Sequence, residues 1–319
     1  MRKYTEISLK IFFFQLFILN LIAPVAAKTP PELDQLKPIV RDVCESLNKL
    51  FPAEETVFNE GMHRVDIPGA TGIILDPKYF SVVPYVWNTS EGLLEIFEKR
   101  QEKSKNLEAA VNGTFYCANG PLGQIIINGK KPSEVKQICS KIPKCFFSVL
   151  QDPENGSNKW AFGETSFNSE KIISQKGRGL SFNRPVKENE KILHLLGGGG
   201  WIVRNYQDVH MEAYKNQKFR FRKVDQDSRH TVLAMDRNDN LYILIFEQGQ
   251  NLETISAKLL DQKFFTNITD AIFFDGGSSS TLVTGDNYLV SPLYFYDKVR
   301  FSALLVFRNE KTKNKNSTN

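Results

Sequence analysis

A run of four consecutive glycines, residues 197–200, constrains the fold of this chain more than any other feature of its sequence. The glycines follow the apolar residues 192–196, which have the composition of a buried strand. Glycine loses more conformational freedom on folding than other residues, so four in succession are costly and a plain turn does not require them. The run therefore predicts a strand that ends at the glycines, where another backbone or a ligand approaches the main chain closely.

Two further corners place small polar residues at the end of an apolar run. Asn112 and Gly113 follow residues 109–111, and Asp275 and its glycines follow residues 271–274. For each corner taken alone, an ordinary turn is the alternative interpretation. Asp275 adds a carboxylate to its corner, and this group is either a cap for the amides of the turn or a catalytic group.

The apolar pattern predicts a mixed α+β fold with mainly antiparallel sheets, a few helices and a single catalytic domain. Short apolar runs bounded by turn residues outnumber the segments with helical periodicity, and the sequence shows no steady βαβ alternation. Helices are predicted at residues 33–50, 91–103 and 252–264. Strands are predicted at residues 80–86, 109–111, 124–128, 192–196, 231–235, 241–246, 271–274 and 301–307, with a hairpin joining 231–235 to 241–246.

The first residues of the chain have the pattern of a secretory signal peptide. Arg2, Lys3 and Lys10 give a basic start, residues 11–22 are almost wholly apolar, and small residues follow at 25–27. This order predicts cleavage after Ala27. The apolar segment is shorter than the about 20 residues that a membrane span requires, and an uncleaved N-terminal anchor is the alternative. We therefore expect a secreted or periplasmic protein with no stable membrane span after cleavage.

These patterns divide the chain into four segments. We expect the signal peptide at residues 1–27, an N-terminal amphipathic helix within residues 28–53, a catalytic domain over residues 54–308 and a basic disordered tail over residues 309–319. The composition is that of a globular protein, since 41% of the residues are hydrophobic and 24% are charged. A net charge of +5 is too mild an excess to predict a nucleic-acid partner.

The cysteines permit disulfides, whereas the histidines give no sign of a metal site. An even number of cysteines behind a signal peptide permits two disulfides, and the sequence leaves all three pairings open. The four are Cys44, Cys117, Cys139 and Cys145, and the last two are near enough in sequence to close a local loop. The sequence has no C-x-x-C motif, no paired histidines and no nucleotide-binding glycine motif, so we expect neither a metal nor another cofactor.

Taken in order, a set of motifs resembles the phosphodiester glycosidase family over about residues 57–307. The motifs are an opening strand at residues 64–66, residues 110–115 around Asn112, the glycine run continuing to residue 204, residues 228–231 leading to 235–236 and 241–244, the helix start at 252–254, and residues 274–279 around Asp275. The last motif is the most specific of them.

The chain departs from the family pattern at three positions. Ser278 replaces a third glycine, and Trp201 replaces a proline that is common after the glycine run. His230 stands where the family has arginine, and Arg229 lies one residue earlier. A shift of one residue along a strand turns a side chain to the other face, so Arg229 and His230 compete for the role of that arginine.

The resemblance implies hydrolysis of a sugar–phosphate phosphodiester, with N-acetylglucosamine or a related sugar, in envelope, matrix or exopolysaccharide glycans. Phosphate is a good leaving group, so one carboxylate can serve as base or nucleophile where ordinary glycosidases use two. Asp275 is the candidate for that carboxylate. Arg229 or His230 would neutralise the phosphate through charge-assisted hydrogen bonds. Asn112 would hydrogen-bond a sugar hydroxyl or orient Asp275.

The other candidate residues would contact the substrate. Glycine amides and serine hydroxyls would face the substrate oxygens, while Trp201 would either stack on a sugar ring or lie in the core. The candidate substrate-binding residues are Gly113, Phe115, Gly199, Gly200, Trp201, Gly276, Gly277, Ser278 and Ser279. Two other functions fit the sequence: a non-catalytic secreted carbohydrate-binding protein with a degenerate site, and a hydrolase that uses Ser278 or Ser279 as its nucleophile.

Overall fold

A computed structural model describes most of the chain after residue 53. The described residues are 54–89, 91–138, 142–165, 180–187, 189–219, 228–247, 249–285, 287–293 and 301–309. The expected signal peptide, the expected N-terminal helix, and all but the first residue of the expected tail lie outside them, as do Cys44 and Cys139. The described residues all belong to one compact unit, residues 53–319.

The described residues form many short strands and three α-helices. The strands are β1 (Glu54–Asn59), β2 (Met62–Ile67), β3 (Ala70–Leu75), β4 (Phe80–Val86), β5 (Leu107–Asn112), β6 (Tyr116–Cys117), β7 (Gly120–Pro121), β8 (Ile125–Ile126), β9 (Cys145–Gln151), β10 (Asn158–Thr165), β11 (Leu180–Phe182), β12 (Lys191–Arg204), β13 (Gln207–Asp208), β14 (His230–Asp236), β15 (Leu241–Phe246), β16 (Ile268–Phe273), β17 (Leu282–Thr284), β18 (Asn287–Val290) and β19 (Ser302–Arg308). The helices are α1 (Leu93–Gln101), α2 (His210–Lys215) and α3 (Leu252–Leu260).

Two antiparallel sheets carry the fold. The larger has the order β1-β2-β3-β15-β14-β16-β12-β9-β10-β11, with β8 and β13 also paired to β12, and the smaller has the order β18-β17-β5-β19-β4. Strands β6 and β7 pair separately. This architecture confirms the predicted strand-rich α+β class, and the β14–β15 hairpin confirms the predicted pairing of residues 231–235 with 241–246.

The elements stack in four layers, because both faces of both sheets carry apolar side chains. Strand β5 shows the alternation: Ala109 and Val111 face the cluster between the sheets, and Ala110 faces the cluster under α1. Strand β14 does the same, with Leu233 in the cluster between the sheets and Val232 in the cluster that α2 and α3 cover. Period-two alternation of this kind buries both faces of a strand.

The helices are shorter than the sequence predicts. Helix α1 lies within the predicted range 91–103, and α3 begins at the predicted Leu252 but ends at Leu260. The side chain of Asn251 accepts a hydrogen bond from the Thr254 N–H at 2.8 Å and caps α3. The sequence does not predict helix α2, because its six residues are too few to show a helical periodicity. Among the described residues, no helix is long and apolar enough to cross a membrane.

The glycine run does not end its strand, which corrects the prediction for residues 192–196. Strand β12 continues through the glycines, pairing with β9 on their N-terminal side and with β16 on their C-terminal side. Gly198 has a φ of +96°, and a Cβ there would lie 2.0 Å from the main-chain oxygen of Leu122. The predicted close approach of another backbone is therefore confirmed at this residue.

The two cysteines in the described part of the chain carry free thiols, and the other two, Cys44 and Cys139, lie outside it. Cys117 is half-buried and Cys145 is buried. Cys145 therefore does not close the local loop that its spacing from Cys139 permits. Burial raises the pKa of the Cys145 thiol, and the Gln217 side chain donates to its Sγ at 2.9 Å.

Candidate active site

Asp275 lies two residues beyond β16, in a corner that three strands hold in place. The Phe274 N–H donates to the Thr231 carbonyl at 2.9 Å, and the Gly277 N–H donates to the Arg229 carbonyl at 2.8 Å. Residues Gly277–Ser279 form one turn of 3₁₀ helix. A Cβ on Gly276 would lie 2.5 Å from the Arg229 carbonyl oxygen, so the corner can pack this closely only with glycine there.

Asn112 at the end of β5 joins this corner to the smaller sheet. Its side-chain nitrogen donates to the main-chain oxygen of Asp275 at 2.8 Å. Its side-chain oxygen accepts from the Thr231 hydroxyl at 2.8 Å and from the Thr281 N–H at 3.2 Å. The Thr231 hydroxyl also lies 3.1 Å from the Ser280 hydroxyl. Asn112 is only 2% exposed and both acceptor positions of its oxygen are used, so the geometry favours the orienting role over contact with a sugar.

The carboxyl group of Asp275 is enclosed although the residue as a whole keeps some surface. Burial raises its pKa to about 7, and hydrogen bonds from the Ser279 side chain and the Gly276 backbone act in the opposite direction. The group can therefore be protonated or ionised near neutral pH. A carboxyl group that titrates near the working pH can take up or release a proton during a reaction.

Arg229 and His230 differ in burial and in the groups that they contact. By the alternation of β14, His230 lies on the same face as Val232, which α2 and α3 cover, and it is 3% exposed. Arg229 is half-buried and its guanidinium donates to the Ser291 carbonyl. Burial lowers the pKa of Arg229, and the charge of Glu247 opposes this shift. Arg229 is thus the more accessible of the two candidates for contact with a phosphate.

The structure separates the predicted substrate-binding residues into two groups. Gly276, Gly277 and Ser278 stay partly exposed beside Asp275, and the buried Ser279 bonds to its carboxyl group. Gly113, Gly199 and Gly200 are buried and touch other parts of the chain. A Cβ on Gly200, for example, would lie 2.5 Å from the Phe273 ring, so these glycines make room for protein atoms.

Trp201 lies in the apolar core, and Phe115 lies at the edge of it. Trp201 is 0% exposed in the cluster between the sheets, so no face of its ring is open to a sugar, and the core alternative fits. Phe115 is half-buried, with its ring 5.5 Å from that of Phe219 and 6.1 Å from that of Phe273. This aromatic cluster ends close to the corner, since Phe273 is two residues before Asp275.

Several residues that complete the site were not singled out from the sequence. Thr231, Ser280 and Thr281 had a usable signal, because each lies within or next to a motif that was already identified. Phe219 had none, since no motif surrounds it. Its ring packs on Phe273 only because the chain returns to the sheet after α2.

Two open clefts lie elsewhere on the described part of the chain. One, of about 440 Å³, is lined by residues including Tyr85 and Arg100, and the other, of about 790 Å³, by residues including Trp160 and Arg308. Asp275 lines neither of them. We place the site at Asp275 because the chemistry and the motifs converge there. No group of three or more His, Cys, Asp or Glu side chains within the described ranges could hold a metal ion.

The fold and the site together define a class of protein. It is a strand-rich α+β protein with one titratable carboxyl group at a sheet corner, which hydroxyl groups and the main chain of Arg229 help to form. These groups suit hydrolysis in which one carboxylate moves a proton or attacks a carbon whose leaving group is already good.

Comparison with known proteins identifies the family. A family model described as phosphodiester glycosidase matches residues 105–307, which is more than half of the chain. The chain therefore belongs to the phosphodiester glycosidase family, whose members are hydrolases, and the resemblance noted from its motifs is confirmed. A comparison with curated protein sequences gave no match.

Solved structures share the fold at low sequence identity. The catalytic domain of zebrafish N-acetylglucosamine-1-phosphodiester alpha-N-acetylglucosaminidase, auto-inhibited by its pro-peptide, is 20% identical with a TM-score of 0.54, over 81% of this chain and 82% of that one. A hypothetical protein from Synechocystis is 14% identical with a TM-score of 0.54, over 81% of this chain. The match spans 64% of the length of the Synechocystis protein.

Proposed function

We propose that this protein hydrolyses the bond between the anomeric carbon of a sugar and a phosphodiester, and that Asp275 is its catalytic carboxylate. The single observation that carries the proposal is the position of Asp275. Its carboxyl group has a pKa raised to about 7, and its main chain is fixed by Asn112 at 2.8 Å. Family membership supplies the type of bond.

The chemistry needs one carboxylate because the leaving group needs little help. In one route, Asp275 takes a proton from water while the water oxygen bonds to the anomeric carbon. In the other, the Asp275 carboxylate bonds to that carbon first, and water then hydrolyses the glycosyl ester. In both routes the bond from the anomeric carbon to the phosphate oxygen breaks, and the phosphate monoester keeps the electron pair. Arg229 binds the phosphate charge.

The sugar is N-acetylglucosamine or a close relative, and the glycan belongs to an envelope, a matrix or an exopolysaccharide. The first part is supported by the activity for which the zebrafish protein with the shared fold is named. The second follows from the signal-peptide pattern of residues 1–27, which predicts export to the periplasm or the medium.

Release of free sugar tests the proposal. The purified protein, its Asp275→Asn variant and a control Asp261→Asn variant are incubated with phosphodiesters of N-acetylglucosamine and of glucose. Asp261 is an exposed residue beyond α3, so its variant makes the same chemical change far from the corner. We expect release by the parent and by Asp261→Asn, and a loss of about 10³-fold or more in Asp275→Asn.

Other outcomes would point to other functions. Equal release by the parent and Asp275→Asn would remove Asp275 from the chemistry and direct attention to Ser278, which a serine-directed covalent probe would test. Sugar binding by the parent without any release would indicate a carbohydrate-binding protein with a degenerate site.

A further inference from the structure

The turn between β9 and β10 carries a triplet of the type asparagine-x-serine. Asn155, Gly156 and Ser157 form the triplet, and all three residues are exposed. Further triplets of the type asparagine-x-serine or asparagine-x-threonine begin at residues 88, 112, 267 and 316. In an exported protein such a triplet is an acceptor for an N-linked oligosaccharide, which is bulky and therefore requires a place at the surface.

Two other triplets that the structure describes are less accessible. Asn112 is 2% exposed, both polar atoms of its side chain are hydrogen-bonded, and the Thr114 hydroxyl of the same triplet donates to a main-chain carbonyl at 2.7 Å. Asn267 is half-buried, and the Thr269 hydroxyl of its triplet donates to a main-chain carbonyl at 3.1 Å. Of the three triplets that lie wholly within the described residues, only that of Asn155 is exposed.

Hydrogen bonds within the turn hold Asn155 in an Asx turn. Its side-chain oxygen accepts from the Ser157 N–H at 2.8 Å. The Gly156 N–H donates to the Asp152 carbonyl at 2.8 Å, and the Asp152 N–H donates to the Ser157 carbonyl at 2.9 Å. The amide oxygen of Asn155 is therefore bonded inside the turn. Its Nδ2, the atom to which an N-linked sugar attaches, belongs to an exposed side chain.

The surroundings of the turn leave space for a large substituent. A Cβ on Gly156 would find no atom within 4 Å. Asn155 and the next three residues line one side of the open cleft of about 790 Å³, which Lys78 and Arg308 also line. Asp275 does not line this cleft. A sugar attached to Asn155 therefore has room at the surface, in a part of the chain that does not include Asp275.

We propose that Asn155 is glycosylated during export and carries an oligosaccharide on its Nδ2. The donor is an oligosaccharide linked to a lipid pyrophosphate, and a membrane-bound oligosaccharyl transferase catalyses the step. A bond forms between Nδ2 and the anomeric carbon of the first sugar, while the bond from that carbon to the pyrophosphate oxygen breaks. The lipid pyrophosphate leaves with the electron pair, and one Nδ2 proton passes to a base of the transferase.

The proposal depends on export and not on the hydrolase activity. Export is expected from the signal-peptide pattern of residues 1–27, which would bring the chain to the compartment where the transferase acts. Attachment of the sugar needs only the triplet and its exposure. The glycan and the proposed catalytic role of Asp275 can therefore be tested separately.

Peptide mass spectrometry of the exported protein tests the proposal. The full chain is expressed in eukaryotic cells, recovered from the medium and treated with a peptide N-glycosidase in water labelled with oxygen-18. This enzyme converts a glycosylated asparagine to aspartate that carries the heavy oxygen. Since Asn155 precedes a glycine and can lose ammonia spontaneously, a parallel sample without the enzyme measures that background. We expect enzyme-dependent label at Asn155 and none at Asn112 or Asn267.

Variants of the turn separate the triplet from the local fold. Ser157→Ala removes the hydroxyl but keeps the main-chain N–H that bonds Asn155, so the turn should persist while the label disappears. Asn155→Gln should also lose the label, and Ser157→Thr should keep it. Asn158→Gln is the matched control, since Asn158 is exposed beside the same turn but begins no triplet, and it should keep the label at Asn155.

Three results would overturn the proposal. The first is an exported protein whose Asn155 gains no label, and the second is a label that persists in Ser157→Ala. The third is a chain that the cells retain in the cytosol, because the transferase acts only in the export compartment. None of these measurements needs turnover, so a parent that releases no sugar would defeat the proposed function and leave the result for Asn155 standing.

Discussion

The side-chain nitrogen of Asn112 donates a 2.8 Å hydrogen bond to the main-chain carbonyl of Asp275, across 163 residues of sequence. Asn112 ends a strand of the smaller sheet, and Asp275 follows a strand of the larger one. The site is therefore assembled only when the two sheets have packed together. A defect in that packing should reach the carboxyl group of Asp275 directly.

Replacement of Asn112 by alanine should impair catalysis more than substrate binding. The change leaves the Thr231 hydroxyl and the Thr281 N–H without their shared acceptor, which costs about 2–4 kcal/mol of stability. It also frees the Asp275 main chain, so kcat should fall by at least about 10-fold with KM little changed. The measurement is steady-state kinetics at a temperature where urea unfolding shows the variant to be folded. An unchanged kcat in that folded variant would exclude the positioning role.

Replacement of Asp275 by asparagine should stabilise the protein at alkaline pH. The folded pKa of about 7 lies above the ordinary value of 3.8, so the folded state holds a proton that the unfolded state has released. The parent should therefore lose stability as the pH rises from about 4 to 7, to a plateau above the folded pKa, by at most a few kcal/mol. Thermal unfolding should show Asp275→Asn gaining several degrees over the parent at pH 8 and little at pH 4. A gain that is equal at both pH values would contradict the raised pKa.

The rate of sugar release should rise with pH through the region of the Asp275 pKa. A base or nucleophile acts as the carboxylate, so kcat/KM should increase about 10-fold for each pH unit below about 7 and level off above it. A phosphodiester keeps its charge over this range, so the substrate does not contribute to the slope. A rate that falls as the pH rises through 7 would assign Asp275 the role of a general acid instead.

Alanine at Gly198 should destabilise the fold severely. Its Cβ would lie 2.0 Å from the Leu122 oxygen and 2.2 Å from the Thr114 hydroxyl, at a φ of +96°. We expect a loss of more than about 3 kcal/mol in urea unfolding, or no soluble protein. Gly156→Ala is the control, since it also has a positive φ of +67° but no atom within 4 Å, and it should cost only about 1–2 kcal/mol. Similar losses in both variants would mean that backbone conformation, and not close packing, explains the glycine run.

Thiol labelling should distinguish the two described cysteines. Cys117 is half-buried and should react with a thiol reagent in the native protein, whereas the buried Cys145 should react only after denaturation. Peptide mass spectrometry without reductant would identify each labelled site. A Cys145 that stays unlabelled in denaturant without reductant, and becomes labelled once reductant is added, would show that it is disulfide-bonded.

Local patterns in the sequence predicted the fold class and eight of the nineteen strands in the described part of the chain, because alternation and turn residues act over a few positions. They also brought together Asn112, Arg229 and Asp275 as candidates through their motifs. Two features could not be predicted from the local sequence. The sequence predicts a strand end at the glycine run because the residues that pack closely against the glycines, Leu122 and Phe273, are distant from them in sequence. Phe219 could not be singled out for the same reason, since only the packing of its ring on Phe273 brings it close to the corner.

The chemistry of the corner also depended on three-dimensional packing. Trp201 could be a sugar platform or a core residue by composition alone, and its complete burial in the cluster between the sheets favours the core. Asn112 likewise had two roles open to it, and the acceptors and donors around it favour orientation of Asp275.

Strand β12 pairs with two different strands, with β9 along its first part and with β16 along its last part. The number of residues between these two parts of β12 therefore sets the register of both pairings. Removing one residue from the glycine run would leave Leu195 in place and turn every side chain from Trp201 onward to the opposite face, moving the indole out of the core and exchanging the neighbours of Asp275. The hairpin tip between β9 and β10 joins only those two strands, and outside them it contacts Lys187 and Asn189, so it should tolerate changes in length better. Relatives of this protein should therefore differ in length at residues 152–157 and keep the count between Leu195 and Trp201 unchanged.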